Sequence, residues 1–147
     1  MRYTRQRWGG ALLALAASLL LACDHDALDP SAVRGHYRLV SVNGNPVPYP
    51  QGVGGPVGGS LTLTWPGIAE RRITYRVGEA QALQELVATG KYSVNGSRLE
   101  LELMERLPNG QKLGYVWRPR ATIVGDTITI TYPDPADGPD IVEKYVR

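Results

Sequence analysis

The most constraining feature of this chain is an alternation of apolar and polar residues with a period of two. In "SLTLTW" (60–65) Leu61, Leu63 and Trp65 share one side. In "RITYRV" (72–77) Ile73, Tyr75 and Val77 oppose Arg72, Thr74 and Arg76, and in "RLELELM" (98–104) Leu99, Leu101 and Leu103 oppose Arg98, Glu100, Glu102 and Met104. "HYRLVSV" (36–42), "TITITY" (127–132) and the final "IVEKYVR" repeat the pattern, with Tyr37, Leu39, Ile128, Ile130 and Tyr132 in phase. Side chains of a strand point alternately to its two faces, so this period predicts strands with one buried face. Asn95-Gly96, Pro108-Asn109-Gly110 and Gly125-Asp126 punctuate the runs, and Asn43-Gly44 opens a longer loop. Asn-Gly accepts the positive φ of a tight hairpin, and short connectors force neighbouring strands to pair antiparallel.

One segment disputes the pattern. "EAQALQELVATG" (79–90) is rich in helix formers, and Leu83, Leu86 and Val87 fit a helical face. The alternation of Leu86, Ala88, Gly90, Tyr92 and Val94, running into the Asn95 turn, favours a strand from about Gln84, with a short helical turn at 79–83 as the alternative. The expected strands are 35–42, 59–65, 70–77, 84–94, 97–106, 111–118, 120–132 and 140–147; a hairpin at Gly125 would split the seventh. A meander of this length closes or leaves two edges open to aggregation. The expected fold is therefore all-β, an antiparallel up-and-down barrel of about eight strands.

Such a barrel has a solid interior or holds one small ligand. The candidate ligand-facing residues are Tyr37, Trp65, Tyr75, Ala88, Gly90, Tyr92 and Trp117, with Ala88 and Gly90 providing room among bulky neighbours. The loop "NGNPVPYPQGVGGPVGG" (43–59) is nearly uncharged and long for a connector. Val47, Tyr49 and Val53 make it a candidate lid.

The N-terminus reads as an address. Arg2, Arg5 and Arg7 precede an apolar run from Ala11 to Leu21, too short for a comfortable span of the ~20 apolar residues a membrane helix needs. Leu20-Leu21-Ala22-Cys23 resembles the lipobox of bacterial lipoproteins. That resemblance implies a signal peptide at 1–22, cleavage before Cys23, and acyl chains on the cysteine sulfur and the new amino group. The sole cysteine then serves as a membrane anchor. Residues 23–34 follow as lipidated cysteine and polar tether, and 35–147 form the domain. Cleavage removes three arginines and leaves 13 basic against 14 acidic residues, so the mature part gives no electrostatic footprint for nucleic acid.

The stretches "GHYRLVSVNGNPVPYP", "GGSLTLTW", "ATGKYSVNGSRLELEL" and the final "KYVR" resemble a group of bacterial lipocalin-like lipoprotein domains. Gly35, Tyr37, Leu39, Val42, Asn43, Gly44 and Pro46 match the opening block, and Gly90, Tyr92, Val94 and Gly96 the second. The resemblance covers 35–147 and implies a small antiparallel barrel; it implies little about activity. True lipocalins begin Gly-x-Trp, where this chain has Tyr37. Arg147 is a candidate to cover one barrel end.

Catalytic signals are weak. His25 lies between two aspartates in the tether, and His36 faces outward beside Tyr37. Glu100 and Glu102 fall on the solvent phase of their strand. There is no nucleophile elbow and no phosphate-loop ending. The expectation is a non-enzymatic cell-envelope protein, periplasm-facing or on the outer surface, with no metal, no cofactor and no nucleic acid. Its partners are the membrane, through the anchor, and a small hydrophobic ligand held in the barrel. The alternative is a structural or inhibitor-like protein-interaction module with a solid core.

Overall fold

A computed structural model describes residues 31–50, 54–78, 80–106, 111–112, 114 and 116–147. The signal segment, Cys23, His25, Val53 and the turn at Pro108-Asn109-Gly110 lie outside the described residues. The strands are β1 (Gly35–Val42), β2 (Asn45–Pro46), β3 (Gly55–Thr64), β4 (Ile68–Val77), β5 (Ala82–Asn95), β6 (Arg98–Arg106), β7 (Arg120–Val124), β8 (Thr127–Tyr132) and β9 (Ile141–Val146).

All pairings are antiparallel: β1 pairs with β3, β3 to β9 pair with their sequence neighbours, and β9 returns to pair with β1, with Leu39 opposite Tyr145 and Val42 opposite Glu143. Eight strands thus close into an up-and-down barrel, compatible with a lipocalin-like fold, and the two-residue β2 is an extra strand folded back on β1. Closure satisfies the backbone groups that an open sheet would leave bare. The alternating apolar residues fill the inside: Tyr37, Leu39, Leu61, Leu63, Ile73, Leu99, Leu101, Leu103, Ile128 and Ile130 are all buried. Full burial of an aliphatic side chain contributes roughly 1.5–3 kcal/mol, so this inner face is the main source of stability.

The disputed segment is strand, beginning at Ala82. It keeps one unbroken register with β4 from Val77–Ala82 to Ile68–Lys91. Tertiary pairing outweighs local helix preference here, because the inward phase of Ala88 and Tyr92 would be lost in a helix. Gly90 shares that phase, and a Cβ built there would overlap the Glu102 carbonyl oxygen on β6. Its bare backbone is therefore a packing requirement and does not open space in the interior.

Several boundaries differ from the sequence expectation. β3 starts at Gly55, because the Gly-Pro-Val-Gly-Gly run pairs with β4 through a register shift between Pro56 and Gly58. A bulge tolerates proline, and glycines weaken the strand signal. The described residues of 111–118 form no separate strand but carry isolated bridges, Lys112 to Arg106 and Trp117 to Leu103. Leu103 pairs with Trp117 in the register that sets Leu99 against Ala121, which places Pro119 opposite Leu101. Pro119 has no N–H to donate, so the ladder breaks there and β7 resumes at Arg120. Asn43-Gly44 opens no long loop of its own. With φ of 51° and 78° it makes the tight β1–β2 turn that joins Val42 to Asn45. The turn after β5 is Gly96-Ser97, closed by Asn95 and Arg98, and Gly96 alone takes positive φ (58°). Gly125-Asp126 is a real hairpin between β7 and β8.

The barrel has two distinct ends. At the tight-turn end lie the connections 65–67, 96–97 and 125–126, the incoming segment 31–34 and the C-terminus. The Tyr37 hydroxyl donates to the Val33 carbonyl at 2.7 Å. The Arg147 guanidinium sits 5.6 Å from the Tyr37 ring centre and donates to the Ala32 carbonyl at 3.0 Å, so Arg147 does cover this end. At the loop end lie 43–50, 78, 80–81, the end of β6 at Arg106 and 133–140.

Candidate functional site

The most unusual chemistry is inside the barrel. Arg71 on β4 and Glu143 on β9 each show 1% side-chain exposure and are ion-paired. Arg71 stands two residues before Ile73, and Glu143 lies between Ile141 and Tyr145, so strand alternation turns both inward. The same phase rule that placed Arg72 outside places Arg71 inside. The sequence signal for both was present as one opposite charge on each of two inward faces.

Glu143 is saturated. Its Oε2 accepts from Arg71 Nε at 2.9 Å and from the Tyr145 hydroxyl at 2.7 Å. Its Oε1 accepts from Arg71 Nη2 and from the Tyr132 hydroxyl at 2.6 Å. Four donors occupy the acceptor capacity of a carboxylate, which leaves no free lone pair to act as a general base. Burial works against the charge on Arg71, but the carboxylate outweighs it and holds the guanidinium pKa well above its ordinary value. Burial, reinforced by the Glu143 charge, pushes the phenols of Tyr132 and Tyr145 up, so both stay protonated as donors.

Aromatic rings complete the cluster. Arg71 lies 5.0 Å from the Trp117 ring centre and 5.7 Å from that of Tyr132, and those two rings meet edge to face at 4.9 Å. Trp117 is positioned by mutual backbone hydrogen bonds with Leu103, at 2.7 and 2.8 Å. Tyr75 is half-buried, and its pKa is raised by burial, with Arg71 opposing that rise. Arg71 Nη1 is buried with no group among the described residues in hydrogen-bonding geometry.

The candidate residues named from sequence divide. Tyr37, Ala88 and Tyr92 are buried inside and Gly90 is partly so, while Tyr75 and Trp117 reach the half-buried layer toward the loop end. Trp65 does not join them and is 61% exposed. β3 ends at Thr64, Pro66 cannot extend the ladder, and Gly67 N–H closes a turn on the Thr64 carbonyl at 2.9 Å, which carries Trp65 out of the inward phase. Val47 packs against the core and Tyr49 is pinned three ways. The Tyr49 hydroxyl donates to the Val42 carbonyl (3.1 Å), its N–H to the Pro56 carbonyl (3.0 Å), and its own carbonyl accepts from Arg76 (3.2 Å). That is a fastened rim.

His36 is exposed, with Nδ1 3.1 Å from the Thr62 hydroxyl oxygen. Glu100 and Glu102 are also exposed, Glu102 paired with Arg118 at 2.8 Å. They belong to an open groove of about 490 Å³ on the outer wall of β5–β7, where Glu100 and Glu102 are flanked by Lys91, Arg98, Arg118 and Arg120. Such pairs contribute at most ~1 kcal/mol each. Comparison with protein-family models, curated proteins and solved structures found no match.

Two outcomes follow from the buried cluster. Glu143→Ala leaves the Arg71 charge uncompensated and the Tyr132 and Tyr145 hydroxyls without their acceptor, and lowers stability by about 3–5 kcal/mol, whereas Arg71→Leu/Glu143→Leu together lose less than Glu143→Ala alone; urea unfolding of the three proteins checks this. Alkaline titration provides the second. The folded pKa values of Tyr132 and Tyr145 exceed that of an unfolded tyrosine, ~10, so their contribution is complete below that pH and is lost as pH rises through the folded values. Their phenolate absorbance at 295 nm appears together with the loss of β-sheet circular dichroism, and not before it.

Proposed function

We propose that this chain is a lipid-anchored protein of the bacterial cell envelope whose barrel is a non-catalytic interaction or scaffold module with a solid core. The observation that supports the reading is the buried Arg71–Glu143 pair with its two tyrosines, which stands inside the barrel where a container would hold its ligand. An apolar ligand entering there would have to displace an ion pair whose separation in a low-dielectric site costs several kcal/mol. The saturated state of Glu143 and the solvated setting of Glu100, Glu102 and His36 support a non-enzymatic role. Membrane attachment is supported by the lipobox resemblance at Leu20 to Cys23.

The ligand-holding reading keeps one observation of its own. Tyr75, Trp117 and Tyr132 are half-buried below the loop end, beside the unpartnered Arg71 Nη1. Because Arg71 is already neutralised by Glu143, that nitrogen suits an uncharged oxygen acceptor better than an anion. A ligand there would be polar-tipped and would sit at the mouth, above the core.

Native mass spectrometry of the protein extracted from membranes separates the two readings. The scaffold reading expects the mass of the acylated polypeptide alone. A bound small molecule retained through gentle activation, and lost in Trp117→Ala, would transfer the function to the mouth.

A further inference from the structure

The structure gives the barrel an up and a down. Three large apolar side chains project from the tight-turn end: Trp65 at 61%, Ile68 at 53% and Val124 at 73% exposure. Trp65 lies in the 65–67 turn, and Ile68 and Val124 are terminal residues of β4 and β7 in the outward phase, next to the inward Ala69 and Ile123. Exposed cations flank them. Lys91 stands opposite Ile68 on β5, Arg98 closes the neighbouring hairpin, and Arg34 precedes β1. Of the carboxylates nearby, Glu102 stands opposite Lys91 on β6, Glu100 lies two residues beyond Arg98, and Asp126 is paired with Arg147. Aromatic and aliphatic tips with lysine and arginine beside them suit an interface of acyl chains and anionic headgroups.

The other end differs. Val77, Leu83 and Val116 are exposed there too (37%, 64% and 43%), but they stand among charges of both signs: Asp134, Asp137 and Asp140, the last paired with Arg120, beside Arg106 and Lys112. The chain itself distinguishes the ends. The described residues begin at Ser31, which leads into the tight-turn end, and only eight residue steps separate Ser31 from Cys23. At ~3.5 Å per residue that segment reaches no more than about 28 Å, roughly the length of one barrel strand, so the end it enters is the one held nearest the lipid.

The geometry points to a membrane-docking face: the tight-turn end, with Trp65, Ile68 and Val124 at its tips and Lys91, Arg98 and Arg34 around them, rests on an anionic bilayer surface. The inference depends on acylation of Cys23. Docking fixes the barrel's orientation, and the loop end, with Tyr49, Trp117 and the acidic connection, faces away from the membrane toward any partner.

The test uses the full-length protein, processed and acylated in cells, in vesicles of phosphatidylcholine and phosphatidylglycerol with or without brominated acyl chains. Processing removes Trp8, so the wild type reports Trp65 and Trp117, and Trp65→Tyr reports Trp117 alone. Brominated lipid is expected to cut the Trp65 contribution by about twofold or more, since interfacial side chains sit ~5–10 Å into the headgroup boundary, and to leave Trp65→Tyr emission unchanged. Lys91→Glu/Arg98→Glu is expected to remove the quenching. The mass of the N-terminal peptide reports the anchor separately. An acylated protein whose Trp65 is unquenched, or whose Trp117 is quenched instead, overturns the docking face and leaves the anchor intact. An unmodified Cys23 overturns both.

Discussion

Arg71 and Glu143 stand on β4 and β9, far apart in sequence and separated on the wall by β1 and β3, and neither can be buried without the other. A carboxylate or a guanidinium taken out of water costs several kcal/mol unless its charge and every donor or acceptor are met. Tyr132 on β8 and Tyr145 on β9 complete the carboxylate shell, and the Trp117 ring, held by Leu103 of β6, lies over the guanidinium. The pair therefore favours one closed register. A slip of one residue in β4 or β9 would put Arg71 or Glu143 outside and leave its partner as an uncompensated charge in the core. Apolar alternation alone favours some barrel; this contact selects the barrel observed.

Much of this was legible in the sequence. The inward residues of β1, β6 and β8 followed from a strict period of two, and the antiparallel order followed from short glycine-bearing turns. Closure followed from the cost of bare edges. The misses have physical reasons. Trp65 continues the alternation of Leu61 and Leu63, but Pro66 ends the ladder one step earlier than hydropathy suggests. The Gly-Pro-Val-Gly-Gly run looked like loop, because strand propensity measures side-chain packing and glycine has none. Arg71 and Glu143 were passed over because charged residues ordinarily mark the outer face. Their phase contradicted that habit, and only a three-dimensional partner explains why the contradiction is stable. Gly90, read as room for a ligand, is instead where the backbone of β6 lies too close for a side chain.

The two ends divide the functional work. Arg147 and Tyr37 seal one end, around which apolar tips and cations face the direction of the proposed anchor. At the other, Tyr49 fastens the rim and half-buried aromatics lie below it. Between them lie the buried apolar side chains and the Arg71–Glu143 pair. In this account the barrel is a rigid spacer that presents its loop end, and its rigidity comes from a core in which both charges are answered.

Native-state hydrogen exchange tests that claim most directly. If Arg71–Glu143 locks one closed wall, the backbone amides of the β1–β9 seam around Leu39 and Tyr145 exchange with the same opening free energy as those of the β4–β5 centre around Ile73 and Leu86, both through global unfolding, and the Arg71 Nε–H is protected with them. Seam amides that exchange by local opening orders of magnitude faster than the β4–β5 centre, with an unprotected Arg71 Nε–H, would contradict it.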